Sequence, residues 1–147
     1  MRVGEVMTSP AIAIAKDARV KDLLDLWQEH PVSGFPVVEG DRVVGVVSES
    51  DLVYRDRPLK APAFLAIFDT VIALETPKHL KEELHKTVGA RVADIMTAPA
   101  VTIRPEADVA EAAALMIDRN VDRLPVVDAA DKLVGIVSRT DIVKTLT

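Results

Sequence analysis

The chain has 147 residues, 49% of them hydrophobic, and a formal net charge of −5, so we expect a compact domain and not a nucleic-acid binder, which would more often be basic. It contains no cysteine, which excludes disulfides and thiolate metal sites. Its start lacks a secretory signal, and its longest apolar stretch, residues 61–74, falls short of the about 20 residues that span a bilayer, so we expect a soluble cytoplasmic protein with no membrane contact.

In the first half, a short extended piece at residues 11–14 precedes a helix that Asp17 can cap and that ends near Pro31. This helix has apolar residues at the i, i+3, i+4 and i+7 spacing of a single face: Val20, Leu23, Leu24 and Trp27. Two β-branched strands follow at residues 35–38 and 42–47, and Ser48 begins a second helix.

The second half predicts the same order of elements. An extended piece at residues 101–103 precedes a helix over about 107–119, strands at 124–127 and 132–137, and a helix from Ser138. Its first helix carries smaller side chains on the apolar face, which indicates that the two halves pack differently: Val109, Ala112, Ala113 and Met116.

These two halves are a sequence repeat, because residues 3–53 recur in similar form as residues 92–143. VGEVMTSPAIAI matches VADIMTAPAVTI, and GFPVVEGDRVVGVVSESDLV matches RLPVVDAADKLVGIVSRTDIV, with one residue gained in the second turn. Two copies predict a paired module with approximate two-fold symmetry, in which each copy buries the apolar face of the other. Such a pair would have two equivalent clefts between the repeats.

Each repeat closes with a Ser-x-x-Asp motif, Ser48 to Asp51 and Ser138 to Asp141, which has two interpretations. It fits a capping box, in which the hydroxyl and the carboxylate satisfy free amides at a helix start. It also fits a ligand site, because a helix start after a strand suits phosphate and an Asp can accept two hydrogen bonds from ribose hydroxyls. The sequence leaves both open.

The repeat resembles the CBS domain, named after cystathionine β-synthase, two of which form a Bateman module. The likeness rests on a Met-Thr-x-Pro opening, a Pro-Val-Val strand and a Gly-x-x-Ser-x-x-Asp close, in that order and twice. It implies an α/β fold of two strand-helix-strand-strand-helix domains packed with pseudo-two-fold symmetry. The expected division is a first repeat at 1–57, a connector with a helix for packing or a dimer contact at 58–91, and a second repeat at 92–147.

The resemblance also implies ligand contacts. In CBS proteins that bind adenosine nucleotides, the opening segment of one copy and the closing segment of the other form a cleft, where the closing Asp holds the ribose and the preceding residue reaches the phosphates. The favoured cleft, termed the Asp141 cleft, would contain Thr8, Ile12, Arg123, Ser138, Thr140 and Asp141. The second, termed the Asp51 cleft, would contain Thr97, Val101, Ser48, Ser50 and Asp51.

Arg123 motivates the preference for the Asp141 cleft. It stands where related proteins often carry a phosphate-contacting basic residue, whereas the first copy has Gly34. A guanidinium matches phosphate in a bidentate manner. The structural alternatives are a solvated or ion-paired Arg123, turn threonines at Thr8 and Thr97, and core packing for the apolar residues.

The expected function is a stand-alone regulatory module that binds AMP, ADP or ATP, with S-adenosylmethionine as a further possibility. It would form a homodimer and signal to a partner in trans through a population shift. No catalytic or metal-binding residues are indicated, because His30, His79 and His85 lack metal-ligand spacing. The alternative is a dimeric scaffold that binds nothing, with Phe35 and Leu124 filling the clefts.

Overall fold

The computed structural model of the chain describes residues 1–30, 32, 34–49, 51 and 90–146. Ser50, the helix expected after Ser48, and nearly all of the predicted connector lie outside these described residues, as do His79 and His85. Within the described ranges, no helix is long and apolar enough to cross a membrane.

Both repeats contain a single-turn helix, a longer helix and a two-stranded hairpin in that order, and the fold is α/β as expected. The first repeat forms α1 (Val3–Val6), β1 (Ile14–Ala15), α2 (Val20–Glu29), β2 (Gly34–Glu39) and β3 (Arg42–Ser48). The second forms α3 (Val92–Ile95), α4 (Val109–Arg119), β4 (Arg123–Val127), β5 (Leu133–Ser138) and α5 (Arg139–Lys144). The hairpin strands and α4 lie within about two residues of their predicted positions. The single-turn helices α1 and α3 have no counterpart in the prediction.

The strands of the two repeats pair in the same way. β1 runs parallel to β2, which pairs antiparallel with β3. In the second repeat β4 pairs antiparallel with β5, and Ile103 makes a parallel bridge to β4 where the first repeat has β1. Equivalent residues face each other in the two hairpins, with Phe35 opposite Val47 and Leu124 opposite Val137. This shared register gives the pair its pseudo-two-fold symmetry.

The opening segment of each repeat crosses to the other repeat. The backbone N–H of Val3 donates to the carbonyl of Ala107 at 2.8 Å, and the N–H of Val92 donates to the carbonyl of Ala18, also at 2.8 Å. Both valines are fully buried, Val3 in the core of the second repeat and Val92 in that of the first. Neither core is therefore complete without the other half of the chain.

The two cores differ in the size of the side chains that their main helices contribute. In α2, Leu23 and Leu24 are buried beside Trp27, whose ring centroid lies 5.9 Å from that of Phe35. In α4 the residue equivalent to Leu23 is Ala112. The asymmetric packing expected from the sequence is thus present: a leucine fills the first core where the second core has only a methyl group.

The expectation that Asp17 caps α2 is wrong. The N-cap is Arg19, whose backbone N–H donates to Oδ2 of Asp22 at 3.0 Å. In α4 the equivalent residue is Asp108, and its carboxylate accepts from the backbone N–H of Ala110 at 2.9 Å. The first N–H of α2 donates to the segment that crosses from the second repeat, a tertiary contact that local sequence does not reveal.

The turn between β4 and β5, one residue longer than its counterpart, is organised by Asp128. Its Oδ1 accepts from the backbone N–H of Ala130 at 2.8 Å and from that of Lys132 at 3.0 Å. The hydrogen bond from Lys132, followed by that from Ala130, lowers the pKa of Asp128 below its usual value of 3.8. Both turns contain a left-handed residue, Asp131 at a φ of 62° in the longer turn and Gly40 at 66° in the shorter one.

We predict that Leu23→Ala lowers the free energy of unfolding by about 2–5 kcal/mol, because it leaves a cavity in the first core. The reciprocal change, Ala112→Leu, inserts a larger side chain into the second core and should cost about 1–3 kcal/mol through overpacking. Urea unfolding of both variants measures these effects. A stabilised Ala112→Leu variant would show that the second core has room for leucine, and would contradict the asymmetry.

We predict that Asp128→Ala destabilises the protein at neutral pH and that the difference from wild type shrinks in acid. A carboxylate whose folded-state pKa is lowered contributes stability above its unfolded pKa, and this contribution is lost as the pH falls through the folded pKa. Urea unfolding from about pH 7 down to about pH 2.5 measures the difference, because the contribution is lost only below the usual pKa of 3.8. Asp128→Asn, which keeps an acceptor oxygen, is the matched control and should be less destabilised at neutral pH. A difference independent of pH would refute the role of the carboxylate.

Candidate functional site

Two clefts lie between the repeats. The Asp141 cleft has a volume of about 420 Å³ and contains all six residues predicted for it. Its described lining is Thr8, Pro10, Ile12, Val32, Gly34, Phe35, Asp122, Arg123, Ile136, Ser138, Arg139, Thr140 and Asp141. Ile12 is 39% exposed, so it contributes apolar surface to the cleft and is not only a core residue.

The Asp51 cleft is the larger, at about 590 Å³. Four of its predicted residues line it, while Ser50 lies outside the described residues: Ser48, Asp51, Thr97 and Val101. The rest of its described lining is Val46, Glu49, Pro99, Ala100, Arg119, Asn120, Val121, Asp122, Arg123 and Arg139. Both volumes fall in the range of about 300–1,000 Å³ usual for small-molecule sites.

The crossing of the chain positions the threonines. The N–H of Thr8 donates to the carbonyl of Ile136 at 2.8 Å, and the N–H of Ile136 donates back to the carbonyl of Thr8 at 3.0 Å. Thr97 forms the equivalent pair with Val46 in the other half, at 2.8 and 3.0 Å. Each threonine is therefore added to the edge of the last strand of the other repeat, close to that repeat's closing Asp.

Two glycines make this close approach possible. They are the first residues of the two Gly-x-x-Ser-x-x-Asp motifs and were not predicted as part of the clefts. A Cβ on Gly135 would lie 2.6 Å from Sδ of Met7 and 3.0 Å from the carbonyl oxygen of Thr8. A Cβ on Gly45 would lie 2.7 Å from Sδ of Met96, so the restriction is the same in both repeats. The sequence does contain a signal for this close approach, because both final strands have a glycine at the same position. A glycine inside a strand weakens it and often marks a place where another backbone comes close.

The closing Asp of each repeat completes a capping interaction with one oxygen. Oδ2 of Asp141 accepts from the backbone N–H of Ser138 at 2.9 Å, and the N–H of Asp141 donates to Oγ of Ser138 at 3.2 Å. Oδ2 of Asp51 accepts from the N–H of Ser48 at 2.7 Å. The capping interpretation is thus confirmed for Ser138 and Asp141, and in both repeats the contact to the serine uses one oxygen of the carboxylate.

The remaining carboxylate oxygen differs between the clefts. Oδ1 of Asp51 accepts a hydrogen bond from the hydroxyl of Thr97 at 3.0 Å. Oδ1 of Asp141 has no hydrogen-bond partner among the described residues, and its carboxylate is partly exposed in the cleft. The Asp141 cleft therefore offers an acceptor oxygen that a ligand hydroxyl can use without displacing a side chain.

Arg123 lies between the two clefts and lines both of them. Its side chain is only 11% exposed, and its Nη2 lies 3.2 Å from Oδ1 of Asp122. Its Nη1 passes so near Gly34 that a Cβ on that glycine would lie 2.5 Å away. The guanidinium fits there because Gly34 has no side chain. Gly34 and Arg123 occupy equivalent positions in the two repeats, and these positions meet at the interface between the repeats. Arg123 consequently does not favour one cleft over the other.

Among the described residues, the arginines that line the two clefts all come from the second repeat. Arg139 lines both, and Arg119 lines the Asp51 cleft. The first repeat has Glu49 and His30 at the equivalent positions. Sequence analysis missed Arg119 and Arg139, because an exposed arginine in a helix has no signal that separates a cleft from solvent. The arrangement suits a ligand with a negative end, since guanidinium groups bind phosphate through paired N–H donors.

Within the described part of the chain, no group of three or more His, Asp or Glu side chains is placed so that it could hold a metal ion. His30 has Glu29 as its nearest acidic neighbour, at 4.0 Å. The clefts combine hydroxyls, carboxylates and guanidinium groups, which can hydrogen-bond to a polar ligand.

The model of the CBS domain family matches residues 3–57 and 92–147 of the chain. The uncharacterized protein MJ1426 of Methanocaldococcus jannaschii is 32% identical to the chain over 156 residues, covering 99% of this chain and 91% of that protein. CBSX2, a chloroplastic CBS domain-containing protein of Arabidopsis thaliana, is 33% identical over 147 residues, covering 97% of this chain but 62% of CBSX2.

Solved structures agree with this assignment. A crystal structure of the CBS domain of a CBS domain-containing membrane protein from Sphaerobacter thermophilus matches with a TM-score of 0.80 and 27% identity, covering 100% of this chain and 88% of that chain. CBSX2 in complex with AMP matches with a TM-score of 0.71 and 31% identity, covering 99% and 95%. The crossed repeats, their paired clefts and both matched segments together establish that the chain belongs to the CBS domain family, of which it carries a pair of domains.

Proposed function

We propose that the protein is a regulatory CBS pair that binds an adenosine nucleotide between its repeats, with AMP, ADP or ATP as the ligand. The observation that carries this proposal is Oδ1 of Asp141, an acceptor without a partner among the described residues, in a cleft that also contains two arginines. Adjacent ribose hydroxyls are donors that match such an oxygen, and a phosphate matches the guanidinium groups. The 31% identical CBSX2, crystallised with AMP, supports the same ligand class.

In this proposal each side chain of the Asp141 cleft has one role. Asp141 accepts from the ribose, and Thr140 and Arg123 contact the phosphate. Ile12, which is 39% exposed, covers the adenine with apolar surface, and Thr8 lies at the mouth formed by the crossing segment. Ser138 holds Asp141 in place through the two cap hydrogen bonds and is a positioning residue.

The Asp51 cleft could bind a second ligand only if the ligand competes with an existing hydrogen bond. Oδ1 of Asp51 already accepts from the hydroxyl of Thr97 at 3.0 Å, so a ribose must replace or share that bond. Exchanging one hydrogen bond for another gains less than satisfying an unpaired acceptor. We therefore propose that the Asp141 cleft binds more tightly, despite its smaller volume.

The scaffold alternative, in which side chains fill the clefts, has less support. Phe35 packs against Trp27 and is 1% exposed, so most of its surface lies in the core, and the cleft beside it still measures about 420 Å³. Leu124 is fully buried in the second core and does not line either cleft. S-adenosylmethionine shares the adenosine group and is separated from the nucleotides by the experiment below.

We further propose that the ligand signal passes to a partner in trans and that the protein is a homodimer. Exposed apolar residues on the outer surface of the second repeat favour an interface there: Ile117 is 80% exposed, Val143 52% and Leu146 81%. Large apolar side chains grouped on a surface mark protein contacts. Binding would act by a population shift between two arrangements of the repeats, which requires the ligand to contact them unequally.

We predict that AMP raises the melting temperature of the wild-type protein with increasing concentration, since a ligand that binds the folded state stabilises it by mass action. The same thermal-shift series with ADP, ATP, S-adenosylmethionine, GTP and inorganic phosphate identifies the preferred ligand. Protein freed of co-purified nucleotide that shows no shift with any adenosine ligand would remove the proposed function.

We predict that Asp141→Ala weakens nucleotide binding in the Asp141 cleft about tenfold or more, because a hydrogen bond to a charged group contributes about 1.5–3 kcal/mol. Isothermal titration calorimetry should show one fewer equivalent of AMP bound at the tighter wild-type affinity. Asp108→Ala is the matched control, since it also removes a helix cap but lies outside both clefts. Its AMP binding should be that of the wild type, whereas unchanged binding by Asp141→Ala would remove the ribose role.

A further inference from the structure

Arg123 and Arg139 are the cations that the two clefts have in common. Arg123 is nearly enclosed, with Asp122 on one side and Gly34 on the other, so one guanidinium has to serve both openings from nearly the same position. Arg139 is exposed, and it follows Ser138, the residue that ends β5. Among the described residues, the two clefts therefore share the positive charges of Arg123 and Arg139.

The first repeat contributes no cation at the equivalent positions. Gly34 has no side chain, and Glu49 places an acidic residue in the lining of the Asp51 cleft. Asp122 lines both clefts and already offsets part of the charge of Arg123 at 3.2 Å. Two phosphate groups would thus bring at least two negative charges to Arg123 and Arg139, of which Arg123 is partly neutralised, while Arg119 lines the Asp51 cleft alone.

We propose, on the basis of the function proposed above, that the two clefts are negatively coupled: a phosphate-bearing adenosine ligand in one cleft weakens the binding of a second such ligand in the other, because both use Arg123 and Arg139. The second ligand meets arginines whose N–H donors are already occupied, and it meets the charge of the first phosphate. The effect is reciprocal, since each ligand must change the affinity of the other by the same factor.

The coupling depends on charge, which separates it from a general change of shape. Adenosine contacts the ribose and adenine positions but carries no phosphate, so two adenosines should bind independently. Raised salt should also reduce the coupling between AMP molecules, because ions screen charges at the open mouth of each cleft. A shape change that closed one cleft upon filling the other would couple adenosine as strongly as AMP.

The test compares the wild type with two variants in which one cleft is blocked by volume and no charge is changed. Ile12→Trp fills the Asp141 cleft, and Val101→Trp fills the Asp51 cleft; both side chains are at least partly exposed, so the core is spared. Calorimetric titration of each variant with AMP gives the intrinsic affinity of the open cleft. We expect the overall two-ligand association constant of the wild type to be about fivefold or more below the product of the two intrinsic constants. With adenosine the two quantities should be equal.

The outcomes distinguish this inference from the proposed function. Absence of binding by any adenosine ligand would overturn both. Equality of the two quantities for AMP, or equal coupling for AMP and adenosine, would overturn the coupling alone. If the wild type binds only one AMP, the variant in which the occupied cleft is blocked decides the outcome. Binding of AMP to the remaining cleft of that variant would support the coupling, and no binding would overturn it. If either tryptophan variant fails to fold, Ile12→Phe and Val101→Phe replace the pair, because they also add volume to one cleft without changing a charge.

A second measurement tests the arginine directly. Arg123→Gln, combined in turn with each blocking variant, should weaken AMP binding to both clefts about fivefold or more, while adenosine binding changes little. Arg104→Gln is the matched control, because Arg104 is exposed and lies outside both linings. Weakening in only one of the two backgrounds would show that Arg123 belongs to a single cleft and would overturn the proposal.

Discussion

The pairing of each opening segment with the last strand of the other repeat is the interaction on which the rest of the structure depends. It adds Thr8 to the edge of β5 and Thr97 to the edge of β3, and it requires a glycine at each crossing, Gly135 and Gly45. The same crossing delivers a buried valine to the core of the opposite repeat. Folding of the cores and formation of the clefts are consequently a single event, and a substitution at either glycine would disturb both.

The backbone keeps the symmetry of the repeat, whereas the charges do not. Where the second repeat has Arg123 and Arg139, the first has Gly34 and Glu49. If both repeats carried arginine at the first of these positions, two guanidinium groups would compete for the space in which Gly34 now admits one. The loss of one side chain is thus a steric condition for burying the other to 11% exposure at the interface. A guanidinium that lines both clefts follows from that asymmetry, and Arg139, equivalent to Glu49 in the repeat, adds the second.

Much of this arrangement could be predicted from the sequence, because the same pattern of elements and motifs occurs in both copies of the repeat. The hairpin strands and the amphipathic helices follow from periodicity. The two groups of cleft residues follow from the resemblance to the CBS domain, and Thr8 does line the cleft that contains Asp141. The features that could not be predicted depend on tertiary contacts. Asp17 fits a cap by local pattern, yet α2 starts where the crossing segment reaches it. Arg139 has the composition of a solvated helix residue, and only the position of the other repeat places it at two clefts.

Asp141 connects the proposed ligand to the outer surface of the second repeat. One of its oxygens holds the start of α5 through the N–H of Ser138, and the other is available to a ribose. α5 is only six residues long and presents Val143 toward solvent, with Leu146 just beyond its end. A short helix has few internal hydrogen bonds, so its position is set mainly by its cap and its packing. A ligand that draws on the Asp141 carboxylate therefore acts on the same helix that exposes these apolar side chains. In the proposed function, α5 connects the cleft to a surface that a partner could recognise.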